Sequence, residues 1–173
     1  TDLKLLGDVD GAIPWYGLEN LENWFISGPV TSWPSIQGSA SRLKELYIQS
    51  PKLSMIPTDS SFRSANLTSL QKIDLYSDEL ASMPNFWTDL PNIRQVAIEP
   101  LAYTGPLPTE IKAPRLHRLI LRQSSYCGLL PDFTVTTHLN ILSLASNRLS
   151  GPIPQSWVDN LFILASLDLN DNF

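Results

Sequence analysis

Few residues in this chain carry chemistry by type and spacing. Asp168-Leu169-Asn170-Asp171-Asn172 matches the opening of an EF-hand calcium loop, D-x-N-x-N, where alternate side-chain oxygens converge on the cation. The next residue must be Gly for the sharp turn and is Phe173, so we expect no calcium there. His117 and His138 have neither a nucleophile nor an orienting acid beside them in sequence, as catalysis would require. Cys127 is the single cysteine and has no second thiol for a disulfide or for zinc. Phosphate-loop, HExxH and GxSxG motifs do not occur. The expectation is a non-enzymatic chain with no metal and no cofactor. Asn66-Leu67-Thr68 is the one N-x-S/T acceptor, which makes Asn66 the expected glycosylation site if the protein is secreted.

Composition narrows the classes further. The 173 residues are 43% apolar and 17% charged, with a net charge of −5, which suits one folded domain rather than a disordered tail or a coiled coil. The acidic balance excludes nucleic acid as the expected partner, because phosphate neutralisation needs surplus Lys and Arg. The longest apolar run, Leu161 to Ala165, falls far short of the roughly 20 residues that span a bilayer. The unusual number is 14 prolines, and half of them recur in one slot after an apolar or aromatic residue: Ile13-Pro14, Trp33-Pro34, Ile56-Pro57, Met83-Pro84, Leu107-Pro108, Leu130-Pro131 and Ile153-Pro154.

Ahead of these pairs lies L-x-x-L-x-L. Its copies begin at Leu43, Leu70, Ile93, Leu116, Leu139 and Leu164, and a rougher one runs Leu21, Trp24, Ile26. Repeats of 20 to 29 residues with this pattern predict a solenoid, each turn giving a short strand whose alternate residues face a core that only stacking can close. Asn147 and Asn172 follow the strands and are expected to satisfy backbone groups that would otherwise be buried unpaired. The same slot holds Pro51, Asp78, Leu101 and Ser124 in other turns, so the asparagine ladder is broken there. Gly105, Gly128 and Gly151 permit the bend before the proline edge. Trp157 and Ile111 are expected in the core, as is Trp87.

Leu139 to Trp157, reading L-N-I-L-S-L-A-S-N-R-L-S-G-P-I-P-Q-S-W, resembles the plant-type leucine-rich repeat L-x-x-L-x-L-x-x-N-x-L-S-G-x-I-P. Trp87 and Trp157, each three residues after a repeat proline, also resemble a habit of leucine-rich protist surface proteins. The resemblance implies an α/β chain: a right-handed leucine-rich-repeat solenoid, or horseshoe, with a parallel concave β-sheet and short 3-10 or irregular convex segments. Residues 1–173 would form one domain of about seven to eight repeats, lacking its caps, with further repeats or a neighbouring chain at both ends. The implied role is an extracellular or cell-surface module, part of a receptor or surface protein, that binds a protein or peptide, or a glycan. A scaffold packed end to end and an inhibitor of a secreted hydrolase are the alternatives.

In such a repeat the third, fifth and seventh positions of L-x-x-L-x-L-x leave the sheet on its outer face. They bring Phe25, Tyr47 and Tyr76 onto three consecutive turns beside Gln49 and Asp74, with Arg118, Ile120 and Arg122 farther along. Exposed aromatics beside a few polar groups are what a recognition surface needs, so these eight residues are the expected ligand contacts. Glu45 beside Lys72, and Glu99 beside Arg122, are expected ion pairs between neighbouring strands.

Overall fold

A computed structural model of the chain describes residues 2–6, 19–31, 40–54, 66–81, 90–100 and 102–173. The Pro14, Pro34, Pro57 and Pro84 slots, Leu101 and Trp87 lie outside these residues.

The L-x-L alternation makes short strands. These are β1 (Asp2–Leu6), β2 (Asn23–Ser27), β3 (Glu45–Gln49), β4 (Lys72–Ser77), β5 (Gln95–Pro100), β6 (Arg118–Leu121), β7 (Cys127–Leu129), β8 (Ile141–Ser143), β9 (Arg148–Ser150) and β10 (Ser166–Asp168). Eight of them form one parallel sheet in the order β1-β2-β3-β4-β5-β6-β8-β10. Pairing is in phase with the repeat: Trp24, Leu46, Ile73, Val96, Leu119, Leu142 and Leu167 are successive partners. All but Leu167 in that column are buried, and the next inward column, Ile26, Ile48, Leu75, Ile98 and Leu121, is buried too. Each turn therefore packs against its neighbours, and every buried Leu-class side chain contributes about 1.5–3 kcal/mol.

A second regularity fixes the start of each strand. The backbone carbonyl of Glu22 accepts the N–H groups of both Lys44 and Glu45, and the same fork recurs from Gln71 and Lys72 to Lys44, from Arg94 and Gln95 to Gln71, from His117 and Arg118 to Arg94, and from Asn140 and Ile141 to His117. Behind the main sheet, β7 and β9 pair in parallel, and isolated bridges join Pro106 to Cys127 and Glu110 to Asp132. Gly151, which follows β9, has φ +88°, and a Cβ there would stand 2.7 Å from Leu129 Cδ2, so the slot calls for glycine.

Asn147 does what its slot requires. Its Nδ2 donates to the carbonyls of Leu121, Leu144 and Ala145 at 2.9, 2.9 and 3.1 Å, and its Oδ1 accepts the Tyr126 N–H. Asn172 repeats the pattern one turn on, donating to Leu144, Leu169 and Asn170 and accepting from Leu149. The residues just before these slots, Gln123, Ser146 and Asp171, all take φ between 55° and 57°, a left-handed step that aims the next side chain inward.

The convex segments are expected to be 3-10 or irregular, and one differs. Gln155–Asn160 is an α-helix, α1, entered through Pro154 with φ −61°, which suits a helix start. Trp157 on α1 is buried and its indole N–H donates to the Pro131 carbonyl at 2.7 Å. Ile111 is buried as well.

Candidate functional site

The outward face of the sheet gathers the expected aromatics. Strand register places Phe25 of β2 opposite Tyr47 of β3, and Tyr47 opposite Asp74 of β4, with Gln49 opposite Tyr76. Phe25, Tyr47, Gln49, Asp74 and Tyr76 line one shallow cavity of about 320 Å³ with Ile26, Ser27 and Ile48. Side chains on adjacent parallel strands lie about 4.8 Å apart, and that spacing brings the Phe25 and Tyr47 rings into a stack, centroids 4.5 Å apart and 8° from parallel. Lys4 Nζ of β1 lies 5.5 Å from the Phe25 ring centroid, and Lys72 Nζ of β4 lies 4.6 Å from that of Tyr47. A cation over each ring contributes about 0.5–1 kcal/mol at such exposed positions.

The Tyr47 hydroxyl donates to Glu45 Oε2 at 2.7 Å. Burial pushes this hydroxyl above its ordinary range; Lys72 pulls against that rise, and the Glu45 carboxylate adds to it. The expected Glu45–Lys72 ion pair is replaced by this arrangement. No ion pair joins the two among the described residues, and both groups spend their charge on Tyr47 from either side. Of the three cavity rings Tyr76 is the most open, 37% exposed, and its hydroxyl donates to Asp78 Oδ1 at 2.8 Å. That hydrogen bond to a carboxylate holds Tyr76 above the ordinary tyrosine range, so the phenol is neutral at physiological pH.

The arginine end of the expected surface is different. Arg118 lines a neighbouring depression of about 210 Å³ with Lys72, Asp74 and Gln95. Arg122 is paired to Glu99 at 2.9 Å, as expected for neighbouring charges. Ile120 is a correction: it is buried, at 7% exposure, between Ala97 and Ser143 in the register, and offers no apolar surface to a ligand. Small neighbours on both strands let the sheet close over it. Arg118 therefore lies beside the aromatic cavity, with Asp74 lining both depressions, whereas Arg122 is held by Glu99 and lines neither. Asn66 is exposed in a left-handed turn, with Thr68 also exposed.

No protein-family model and no curated protein matches the chain. Among solved structures it is similar to the plant peptide hormone receptor RGFR1 in complex with RGF2, at 22% identity over 99% of this chain and 34% of that one, with a TM-score of 0.65. It is similar also to the leucine-rich repeat domain of APL1B, at 17% identity over 99% of this chain and 62% of that one, with a TM-score of 0.56. The fold is the leucine-rich-repeat solenoid. The chain spans about a third of the RGFR1 chain and less than two thirds of the APL1B chain.

Within the leucine-rich-repeat frame, two polar groups that the sequence reading missed replace the absent asparagines. Ser50 and Ser77, the last inward residues before the broken slots, are fully buried, and their hydroxyls donate back to the carbonyls of Val30 and Leu53 at 2.8 and 2.7 Å. A Ser directly ahead of the Pro51 and Asp78 slots is the signal that could have found them; Pro100 and Gln123 hold that position ahead of Leu101 and Ser124. Asn172, the fifth residue of the EF-hand-like stretch, is spent on this repeat's backbone ladder. Among the described residues no helix is long and apolar enough to cross a membrane.

Proposed function

We propose that this leucine-rich-repeat chain is a non-catalytic recognition module and that it binds a protein or peptide on the outward face of β2, β3 and β4. The observation that supports the reading is the 320 Å³ cavity where the open Tyr76 ring stands beside Gln49 and Asp74. Phe25 and Tyr47 form its wall: their facing surfaces are used in the stack and their outer surfaces by lysines, which leaves the ring edges to a ligand. An apolar side chain of a peptide fits between those edges and Tyr76, with the Gln49 amide able to donate to and accept from its backbone. Arg118, in the adjacent depression, is the reach of the site toward β6, whereas Arg122 is held by Glu99. RGFR1 is described as a peptide hormone receptor and was solved with RGF2. The analogy of fold supports a reading in which this chain works at the cell surface or outside the cell, where Asn66 would carry a glycan.

The test is selection of a displayed random-peptide library on the wild-type chain, followed by titration of the enriched peptides into wild type and a Tyr47→Ala, Tyr76→Ala double variant. Enriched peptides that lose at least tenfold in affinity on the variant support the reading. Peptides that bind both forms equally place recognition elsewhere.

A further inference from the structure

Two histidines that the sequence left in non-equivalent positions of adjacent turns meet in the structure. His117 precedes β6 by one residue, and its register partner in the next turn is Asn140, two residues after His138. Even so, the imidazole rings of His117 and His138 lie 5.8 Å apart between centroids and 35° from parallel. Both side chains are exposed.

Their hydrogen bonds decide which ring nitrogen is available. His117 Nδ1 lies 2.6 Å from the Arg115 carbonyl oxygen, and His138 Nδ1 lies 3.0 Å from the Pro114 carbonyl oxygen and 3.4 Å from the Thr137 hydroxyl, which can itself accept. A carbonyl only accepts, so each Nδ1 carries the proton and donates it. Each Nε2 is then left with a lone pair. The two carbonyls belong to successive residues of one turn, so both rings are anchored through Nδ1 to the same stretch of backbone. A ring N–H given to a backbone carbonyl is the arrangement that orients metal-binding histidines and fixes their tautomer. Imidazoles ligated through Nε2 at about 2.0–2.1 Å from a shared zinc have centroids about 5 to 6 Å apart, the separation seen here.

The neighbouring cations are directed elsewhere. Arg115 donates to Asn92 Oδ1, and Arg118 lines the depression shared with Lys72, Asp74 and Gln95; both contacts lie toward the preceding turns, on the far side from His138. We propose that His117 and His138 form a two-imidazole site for a divalent transition-metal ion of the zinc, copper or nickel class, with water in the remaining positions. Imidazole nitrogen suits these ions, and a harder ion such as magnesium prefers oxygen.

The experiment is calorimetric titration of the whole chain with zinc chloride, repeated with magnesium chloride and on the His117→Ala and His138→Ala variants. The expected result is one zinc per chain, no magnesium binding, and at least a tenfold loss of zinc affinity in each single variant. Both histidines are exposed, so each variant should keep the wild-type melting curve. A second readout comes from nitrogen-15 imidazole spectra of the wild-type chain, where the Nε2 signals of both residues should move together on adding zinc. Zinc affinity unchanged in either variant, absence of zinc binding at millimolar concentration, or movement of only one imidazole would overturn the proposal.

Discussion

The Phe25 and Tyr47 rings stack 4.5 Å apart and only 8° from parallel, with Lys4 over the outer face of one and Lys72 over that of the other. Four consecutive strands thus contribute one side chain each to a single stack, Lys72 joining it diagonally from the neighbouring column, and the stack is both wall of the cavity and clamp between turns. A double-mutant cycle on Phe25→Ala and Tyr47→Ala, followed by urea denaturation, should give a coupling of about 0.5–1.5 kcal/mol. Additive effects would show that the stack holds nothing together.

Asn147 satisfies three carbonyls and one N–H in the interior of the turn. Asn147→Ala removes all four bonds; the Leu144 carbonyl keeps the Asn172 amide and the Ala145 carbonyl keeps the Gln123 N–H, so the cost falls on the Leu121 carbonyl and the Tyr126 N–H, and unfolding in urea should show a loss of about 2–4 kcal/mol. Asn172 makes the same bonds but is partly exposed, so water replaces some of them. Asn172→Ala should cost about half as much. Equal losses would contradict a ladder whose value depends on burial.

Tyr126 is fully buried, and burial pushes its hydroxyl far above the ordinary value of 10.0, with Tyr103 adding to the rise. Below pH 10 both folded and unfolded chains keep this proton, and stability does not depend on it. Above pH 10 the unfolded chain releases the proton and the folded chain retains it, so stability falls, by up to about 1.4 kcal/mol per pH unit for each such tyrosine. Tyr126→Phe should flatten the alkaline limb of a stability profile measured from pH 8 to 11.5. An unchanged slope would mean that the hydroxyl is not buried in solution.

The sheet was legible because its signal is periodic: Leu43, Leu46 and Ile48 announce β3 as plainly as Leu116, Leu119 and Leu121 announce β6, and each copy reinforces the others. Asn147 was legible for the same reason. What stayed hidden depends on contacts between turns that no local pattern encodes. Ile120 sits in an outward slot, and only its small partners Ala97 and Ser143 allow its burial. Lys72 was read as the mate of Glu45 across the strand, whereas a diagonal approach puts it over the Tyr47 ring. Ser50 and Ser77 carry no repeat signature, since a serine reads as polar filler until its buried hydroxyl is seen to reach the preceding turn. The aromatic group itself was visible once the strands were phased, because alternation alone assigns Phe25, Tyr47 and Tyr76 to one face.

The central claim, recognition at the cavity of β2, β3 and β4, is tested most directly at Tyr76, which is the open ring and bears little of the packing. A library-selected peptide should be titrated calorimetrically into wild type and Tyr76→Ala, with thermal melts of both proteins alongside. The account predicts melting temperatures within about 2 °C, since exposed substitutions cost little, together with at least a tenfold loss of peptide affinity. Full peptide affinity in a folded Tyr76→Ala chain would contradict it.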